Sequence, residues 1–387
     1  MLQTLAIANY RSLRELIVPL AQVNVITGAN GSGKSSLYRA LRLLAESAQG
    51  RLVANLAQEG GFAATLWAGP ETISRAMKAG EVPIQGTTRQ DTIALRLGFA
   101  ADDYGYLIDL GLPAPDSTTL FGQDPQIKRE CIWAGPVLRE AAVLADRRNA
   151  LCRVRSGREW QVLSRHLPAF DSLFAQCADP LRAPEVLLLR ERMRGWRFYD
   201  HLRSDAQAPA RQSQVGTYTP ILAHDGADLA AAIQTIRELG RGDELAAAIE
   251  DAFPGSRLDI EVEHGRFALR MWQHGLLRPL AAAELSDGTL RYLLLCAALL
   301  SPRPPELLVL NEPETSLHPD LLPALGRLIV AASAQAQIIV VSHAARLVTA
   351  LSRQRETQVI TLVKELGETQ IEGQSALERP AWYWPVR

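Results

Sequence analysis

The sequence predicts an α/β fold with an antiparallel β subdomain and a mostly helical inserted lobe, and three observations carry that prediction. A glycine-rich loop, Gly28-Ala29-Asn30-Gly31-Ser32-Gly33-Lys34-Ser35, lies between an apolar strand pattern and an amphipathic helix pattern. Beyond Ala281, apolar stretches of helix and strand length alternate, as expected of a layered α/β domain. In residues 92–113 and again in 258–271, apolar residues fall at every second position on either side of a turn, which is how a hairpin reads.

Taken in order, residues 2–9, 15–20 and 23–27 read as strands, the last a continuous apolar run suited to the centre of a sheet. In the helix that follows, Leu37, Ala40, Leu41 and Leu44 recur at i, i+3, i+4 and i+7, which puts them on one face against the sheet. The first hairpin sets Ile93, Leu95, Leu97 and Phe99 against Tyr106, Ile108, Leu110 and Leu112, with the turn at Asp102-Asp103-Tyr104-Gly105 and one buried face. Residues 136–254 read as mostly helical. They include a polar, proline-containing break at 204–220 and a helical face at Leu229, Ile233 and Ile236. The second hairpin turns at His264-Gly265, with Leu258, Ile260 and Val262 on one arm and Phe267, Leu269 and Met271 on the other. Three parts are therefore expected: 1–135 and 255–387 as the two portions of one domain, and 136–254 as the inserted lobe. There is no internal repeat and no long heptad run, so no coiled-coil arm is expected.

With 387 residues and 47% hydrophobic content, the chain can bury a large core. Its net charge of -1, from 41 basic and 42 acidic residues, excludes a whole-protein field that would draw it to nucleic acid or an anionic membrane. Cys131, Cys152, Cys177 and Cys296 form no C-x-x-C pair and read as buried free thiols in a reducing cytosol. The first strand begins without a charged leader and cleavage site, and the longest apolar stretch, residues 292–300, is too short to span a bilayer. A cytoplasmic protein with no membrane role is expected.

Four segments carry chemistry. The loop at 28–35 fits G-x-x-x-x-G-K-[ST] in the strand-to-helix setting which that pattern needs. Its glycines let backbone N–H groups turn inward on a β-phosphate, and the helix N-terminus adds partial positive charge. Lys34 reaches the β and γ phosphates, while Ser35 offers a hydroxyl to Mg²⁺. Leu307-Leu308-Val309-Leu310-Asn311-Glu312 is a short apolar strand whose two polar terminal residues emerge at the carboxyl edge of a sheet, where ligand chemistry takes place in open α/β folds. There Asn311 would serve the Mg²⁺ shell without supplying charge, and Glu312 would polarise the attacking water. Leu285-Ser286-Asp287-Gly288-Thr289-Leu290-Arg291 opens an apolar helix with Ser286 as its N-cap, whether as a simple cap or as an anion contact. A further apolar strand, 337–341, ends at Ser342-His343, a histidine that is either structural or, at the end of the strand after the acidic one, placed to touch a γ-phosphate.

In this order, the phosphate loop, L-S-D-G-T-L-R, L-N-E-P-E-T-S-L-H-P at 310–319 and V-V-S-H at 340–343 resemble the heads of ABC-type ATPases, in particular the RecF, OLD and SMC branch often described as AAA-type ATPases. The resemblance implies a P-loop ATPase head with a central mixed sheet, which binds and hydrolyses ATP with Mg²⁺. It implies that Asn30, Gly31, Ser32, Gly33, Lys34, Ser35 and Ser36 hold the nucleotide, and that Arg11, in Asn9-Tyr10-Arg11-Ser12, lies near it. Glu312 and His343 become the catalytic base and the switch histidine. Ser286, Asp287 and Gly288 become the signature that contacts ATP held by a second copy, so a homodimer closed through ATP is implied. Residues 315–319 resemble the D-loop. The metal set becomes Ser35, Asn311 and Gln58, the last as the glutamine-loop candidate before Gly60-Gly61. Asn311 stands where the family has aspartate, so slow turnover is expected, and a slow or silent nucleotide-gated regulatory module is the alternative.

About two thirds of the chain separates Gly28 from Ser286, far more than in transporter subunits of this class, which disfavours a transporter. The chain stops at Arg387, too soon for the Toprim nuclease of some relatives, so nuclease activity is expected only from a partner. The functional partner is expected to be DNA or an effector protein, in repair, genome maintenance or defence. Arg147, Arg148, Arg153, Arg155 and Arg158, and Arg190, Arg192, Arg194, Arg197 and Arg203 around Trp196, Phe198 and Tyr199, are the candidate DNA surface. The reading preferred over it is a solvated face with the aromatics in the core. Trp382-Tyr383-Trp384 is read as a docked terminus.

Overall fold

The computed structural model describes all residues except 84, 85, 87–91, 116, 117, 201 and 376. The chain forms two units: Met1–Ala21, Gly28–Gly195 and Ile360–Arg387 make the first, and Gln22–Thr27 with Trp196–Val359 make the second.

The first unit is built on an eight-stranded antiparallel sheet. In spatial order its strands are Leu13–Pro19, Leu2–Tyr10, Leu95–Ala101, Tyr104–Gly111, Gln126–Ala134, Val143–Arg148, Leu151–Ser156 and Glu159–Ser164. The expected hairpin forms, with Leu95 opposite Leu110, Leu97 opposite Ile108 and Phe99 opposite Tyr106. It is buried on both faces rather than one. Ala100, Leu107, Cys131 and Trp133 form a small core to which Trp382 and Trp384 of the C-terminal segment add their rings, so the terminus is docked as expected. Trp382 lies 5.7 Å from the Trp133 ring, edge to face, and a Cβ on Gly98 would collide with it. Helix Lys34–Ser47 buries Leu37, Ala40, Leu41 and Leu44 together, and it contacts strands Leu2–Tyr10 and Leu95–Ala101 and helix Pro184–Gly195.

The second unit has a parallel sheet in which Arg197–Tyr199, Leu307–Asn311, Gln337–Val341 and Val23–Gly28 are successive neighbours. Its strands are nearly uniformly apolar, because a parallel strand is buried on both faces. Helices Leu229–Ile236, Asp287–Leu299 and Leu322–Ala332 supply Leu229, Ile233, Leu293, Leu294, Leu325 and Ile329 to the same core. The second expected hairpin forms from Arg257–Glu263 and Arg266–Trp272. Leu258, Leu269 and Met271 are buried, whereas Val262 near the turn is exposed.

The helical lobe expected at 136–254 is not one body. Residues 143–164 form three strands that extend the antiparallel sheet, and the stretch is divided between the two units at Gly195. Strand Val143–Arg148 carries an alternation that its arginines obscure, because Arg147 is itself a buried residue there. Among the described residues, no helix is long and apolar enough to cross a membrane. All four cysteines are free and buried, and burial pushes the Cys131 thiol up to about 12.

Candidate functional site

In the first unit the glycine-rich loop has the backbone that its sequence requires. Gly28, Gly31 and Gly33 have φ of 141°, 78° and 109°, a region that side chains avoid. Gly28 and Gly33 are needed on a second ground: a Cβ would lie 2.3 Å from the Leu362 carbonyl oxygen at Gly28 and 2.2 Å from Thr369 Oγ1 at Gly33. The helix that starts at Lys34 has no side-chain cap and no acidic residue in its first turn. Its leading N–H groups and the positive end of its dipole are thus left for an anion. Lys34 is buried, and its Nζ donates to the carbonyls of Gly28 at 2.7 Å and Ala29 at 3.0 Å, which holds the ammonium inside the loop. Ser32 Oγ is buried with no hydrogen-bond partner, an orphaned polar atom in a cradle otherwise made of backbone. Ser35 is exposed at the start of the helix, and so is Asn30 on the loop.

Thr369, which no motif marks, clamps this loop. Its buried Oγ1 donates to the Ser32 carbonyl at 2.8 Å and lies 2.8 Å from Ser12 Oγ, and its N–H donates to the Ser12 carbonyl. The Asn9-Tyr10-Arg11-Ser12 segment is thereby tied to the glycine-rich loop. Arg11 has a left-handed backbone, with φ of 52°, and its guanidinium is held by Glu59 at 2.6 Å. The Tyr10 hydroxyl donates to the same carboxylate, and burial together with Glu59 holds that phenol well above its ordinary range. Gln58 is exposed at the end of helix Leu52–Gln58, one residue before this junction.

In the second unit, Asn311 pairs in register with Val341, and Val341 with Ile26. The carboxyl ends of three parallel strands are therefore level, and Gly28 follows two residues beyond Ile26 in the chain. Asn311 is half-buried. Glu312 leaves the sheet with φ of 47°, its N–H bonded to the Val341 carbonyl at 2.8 Å and its own carbonyl accepting from Thr315. That left-handed step carries the carboxylate out to solvent. His343 Nδ1 lies 3.8 Å from Glu312 Oε1 and 3.4 Å from Glu314 Oε1. Glu314 was not singled out from the sequence, where it is the second acid of N-E-P-E and nothing local shows that it turns inward.

Ser286 caps its helix as expected, with Oγ accepting from Thr289 N at 3.1 Å. Asp287 pairs with Arg211 at 2.7 Å, and Arg211 also donates to the Leu285 and Ser204 carbonyls, which fixes the approach to the helix. Gly288 is in close contact with the next loop, since a Cβ would sit 2.7 Å from the Ser316 carbonyl oxygen. Ser286, Gly288, Ser316, His318, Asp320 and Phe253 are among the residues lining an open groove of about 640 Å³. Among the described residues, no group of three or more His, Cys, Asp and Glu could hold a metal. The metal candidates Ser35, Asn311 and Gln58 are neutral oxygen donors.

The aromatics at 196, 198 and 199 lie in the core as expected, whereas the first arginine cluster lies on strands rather than on a solvated helix face. Arg147 is fully buried against Glu130 at 2.9 Å. Arg129, Arg148 and Arg153 share Asp146, and Arg153 and Arg155 lie over the Trp160 ring. Arg192 pairs with Asp103, Arg190 and Arg194 with Glu191, and Arg203 with Asp205. Trp196, Phe198 and Tyr199 are buried at 5%, 5% and 2% exposure, so no base-stacking platform is presented there.

In fold, the chain resembles the crystal structure of an SMC head bound to the C-winged helix domain of ScpA. The TM-score is 0.51 at 12% identity, and the match spans 98% of this chain and 99% of that one. An SMC head domain from Thermotoga maritima matches with a TM-score of 0.46 at 12% identity, over 97% of this chain and 99% of that one. An Smc head with an extended coiled coil bound to the C-terminal domain of ScpA, derived from Pyrococcus furiosus, gives 0.47 at 12% identity, over 96% and 95%. None of the curated proteins matches the chain in sequence. The family model described as "AAA domain, putative AbiEii toxin, Type IV TA system" matches residues 23–349. The chain belongs to that AAA-domain family and has an SMC-head-like fold.

Proposed function

We propose that the chain binds ATP with Mg²⁺ at the loop of residues 28–35 and hydrolyses it slowly, closing with a second copy to do so. The observation that carries this reading is the loop: left-handed glycines, an uncapped helix start, and a buried lysine whose ammonium is turned inward. Residues 30–36 would receive the phosphates, with Arg11 nearby on the clamped N-terminal segment. Bound Mg²⁺ would supply positive charge to offset that of the phosphates. Ser35, Asn311 and Gln58 suit a metal whose charge is balanced by those phosphates rather than by protein carboxylates, and they would hold it loosely. Glu312 would take a proton from the attacking water, and His343 would contact the γ-phosphate. Ser286, Asp287 and Gly288 would complete the site of the other copy, a self-complementary arrangement that gives two equal sites.

Nucleotide state would be coupled to a partner protein rather than to DNA, because the aromatics at 196, 198 and 199 are buried and several of the candidate arginines pair with acids of the same chain. The family's description as part of a toxin–antitoxin system makes defence the favoured setting. The SMC head that carries a bound ScpA domain shows a fold of this kind with a protein partner.

The test is binding of a fluorescent ATP analogue together with light scattering. Lys34→Ala is expected to weaken affinity by roughly 10- to 100-fold, the loss of one or two charge-assisted hydrogen bonds. Glu312→Gln is expected to become dimeric with ATP. An unchanged affinity in the first variant, or a monomer in the second, would remove the proposal. The alternative, a module that binds and does not turn over, rests on Asn311.

A further inference from the structure

Glu314 is a buried carboxylate with an unusual set of neighbours. Its Oε1 accepts from Ser342 Oγ at 2.7 Å, from the His343 N–H at 3.0 Å and from the Ala344 N–H at 3.3 Å. The same oxygen stands 3.4 Å from His343 Nδ1. Its other oxygen, Oε2, is buried with no hydrogen-bond partner. A buried carboxylate is costly unless it is held by donors or charge. Here three donors, all from residues 342–344, converge on one oxygen, and the nearby charge is that of buried Arg291. Glu314 therefore grips one segment of chain, the one that carries His343, and it does so two residues after Glu312.

From this geometry we infer that Glu314 is the positioning residue for His343, holding the ring with Nδ1 protonated and Nε2 as the nitrogen offered to a ligand. A carboxylate can only accept, so the tautomer that places a hydrogen on the ring nitrogen facing it is favoured. When the ring is neutral, Nε2 then holds the lone pair. Histidine ligands oriented by a second carboxylate follow the same logic. Glu312, 3.8 Å from Nδ1, lies on the same side of the ring and favours the same tautomer. Its side chain is exposed by comparison, with 48% accessibility against 7% for Glu314. The inference rests on the proposed role of His343 at the nucleotide, but its first test does not.

That test is ¹⁵N NMR of the full chain labelled at histidine, with the His343 signal assigned by its loss in His343→Asn, at a pH where the ring is neutral. The wild type is expected to show the Nδ1–H tautomer, and Glu314→Gln a mixture of tautomers. Ser342→Ala, which spares the carboxylate, should retain Nδ1–H. An Nε2–H ring in the wild type, or a tautomer unchanged by Glu314→Gln, would overturn the inference, and the wild-type measurement decides it even if that variant does not fold.

The second test is a double-mutant cycle on hydrolysis. Glu314→Gln should lower kcat about tenfold, with KM and analogue affinity within about twofold. Adding it to His343→Ala should cost nothing further, because Glu314 would act only through the ring. Multiplicative losses would mean that it acts elsewhere, and would refute a positioning role. If the wild type does not hydrolyse ATP while the tautomer is Nδ1–H, the proposed hydrolysis fails and the role of Glu314 stands.

Discussion

Asn311 occupies the end of strand Leu307–Asn311, level with Val341 on the neighbouring strand, where a carboxylate would serve a hard cation better than an amide does. Restoring the charge should show whether the amide limits turnover. Asn311→Asp is expected to raise steady-state ATP hydrolysis by about tenfold, equivalent to ~1.4 kcal/mol of barrier. A rate unchanged within error would mean that another step is limiting. Gly33 is a sharper case, because backbone and neighbour agree. With φ of 109° and Thr369 Oγ1 at 2.2 Å from where a Cβ would be, Gly33→Ala should cost roughly 1–3 kcal/mol in denaturant unfolding. It should also abolish the rise in melting temperature on adding ATP and Mg²⁺, since the loop can no longer close on its clamp.

Among the elements, strand Val143–Arg148 shows how charge can mislead. Arg147 reads as part of a basic surface, yet it is paired with Glu130, and both side chains are fully buried. Glu130 also accepts from the Tyr106 hydroxyl, Ser172 Oγ and the Leu173 N–H, which ties helix Leu173–Gln176 to the sheet. Breaking one side of such a pair leaves a buried charge uncompensated, so Arg147→Ala should lose about 3–5 kcal/mol in urea unfolding. Arg155→Ala, which removes a half-exposed guanidinium from over Trp160, should lose only about 0.5–1 kcal/mol. Equal effects would contradict the burial contrast. The elements that the sequence describes well are those whose partners are nearby: the Ser286 cap closes on Thr289, and the two hairpins pair across turns of a few residues. The strands at 143–164 were not legible, because their pairing is decided by neighbours in the sheet and their alternation is filled by arginines that pair with acids across the strands.

For the molecule as a whole, the arginine pairs bear on the choice of partner. With Arg147 buried against Glu130, Arg153 over Trp160 and paired with Asp146, and the aromatics at 196, 198 and 199 in the core, added double-stranded DNA is expected to leave the ATPase rate within about twofold of its basal value at physiological salt. A strong stimulation that fades with salt would return DNA to the leading place.

The sequence by itself determined the glycine-rich loop, the strands that end in Asn311 and His343, and the capped helix at Ser286. Each depends on contacts within a few residues or on a periodicity that a short window displays. Only the tertiary structure decided that Thr369 clamps the loop across more than three hundred residues of chain, that Glu314 turns inward to residues 342–344, and that Arg147 is core rather than surface. In each of these the partner is remote in sequence. A lone threonine, glutamate or arginine carries no mark of what the fold will bring beside it.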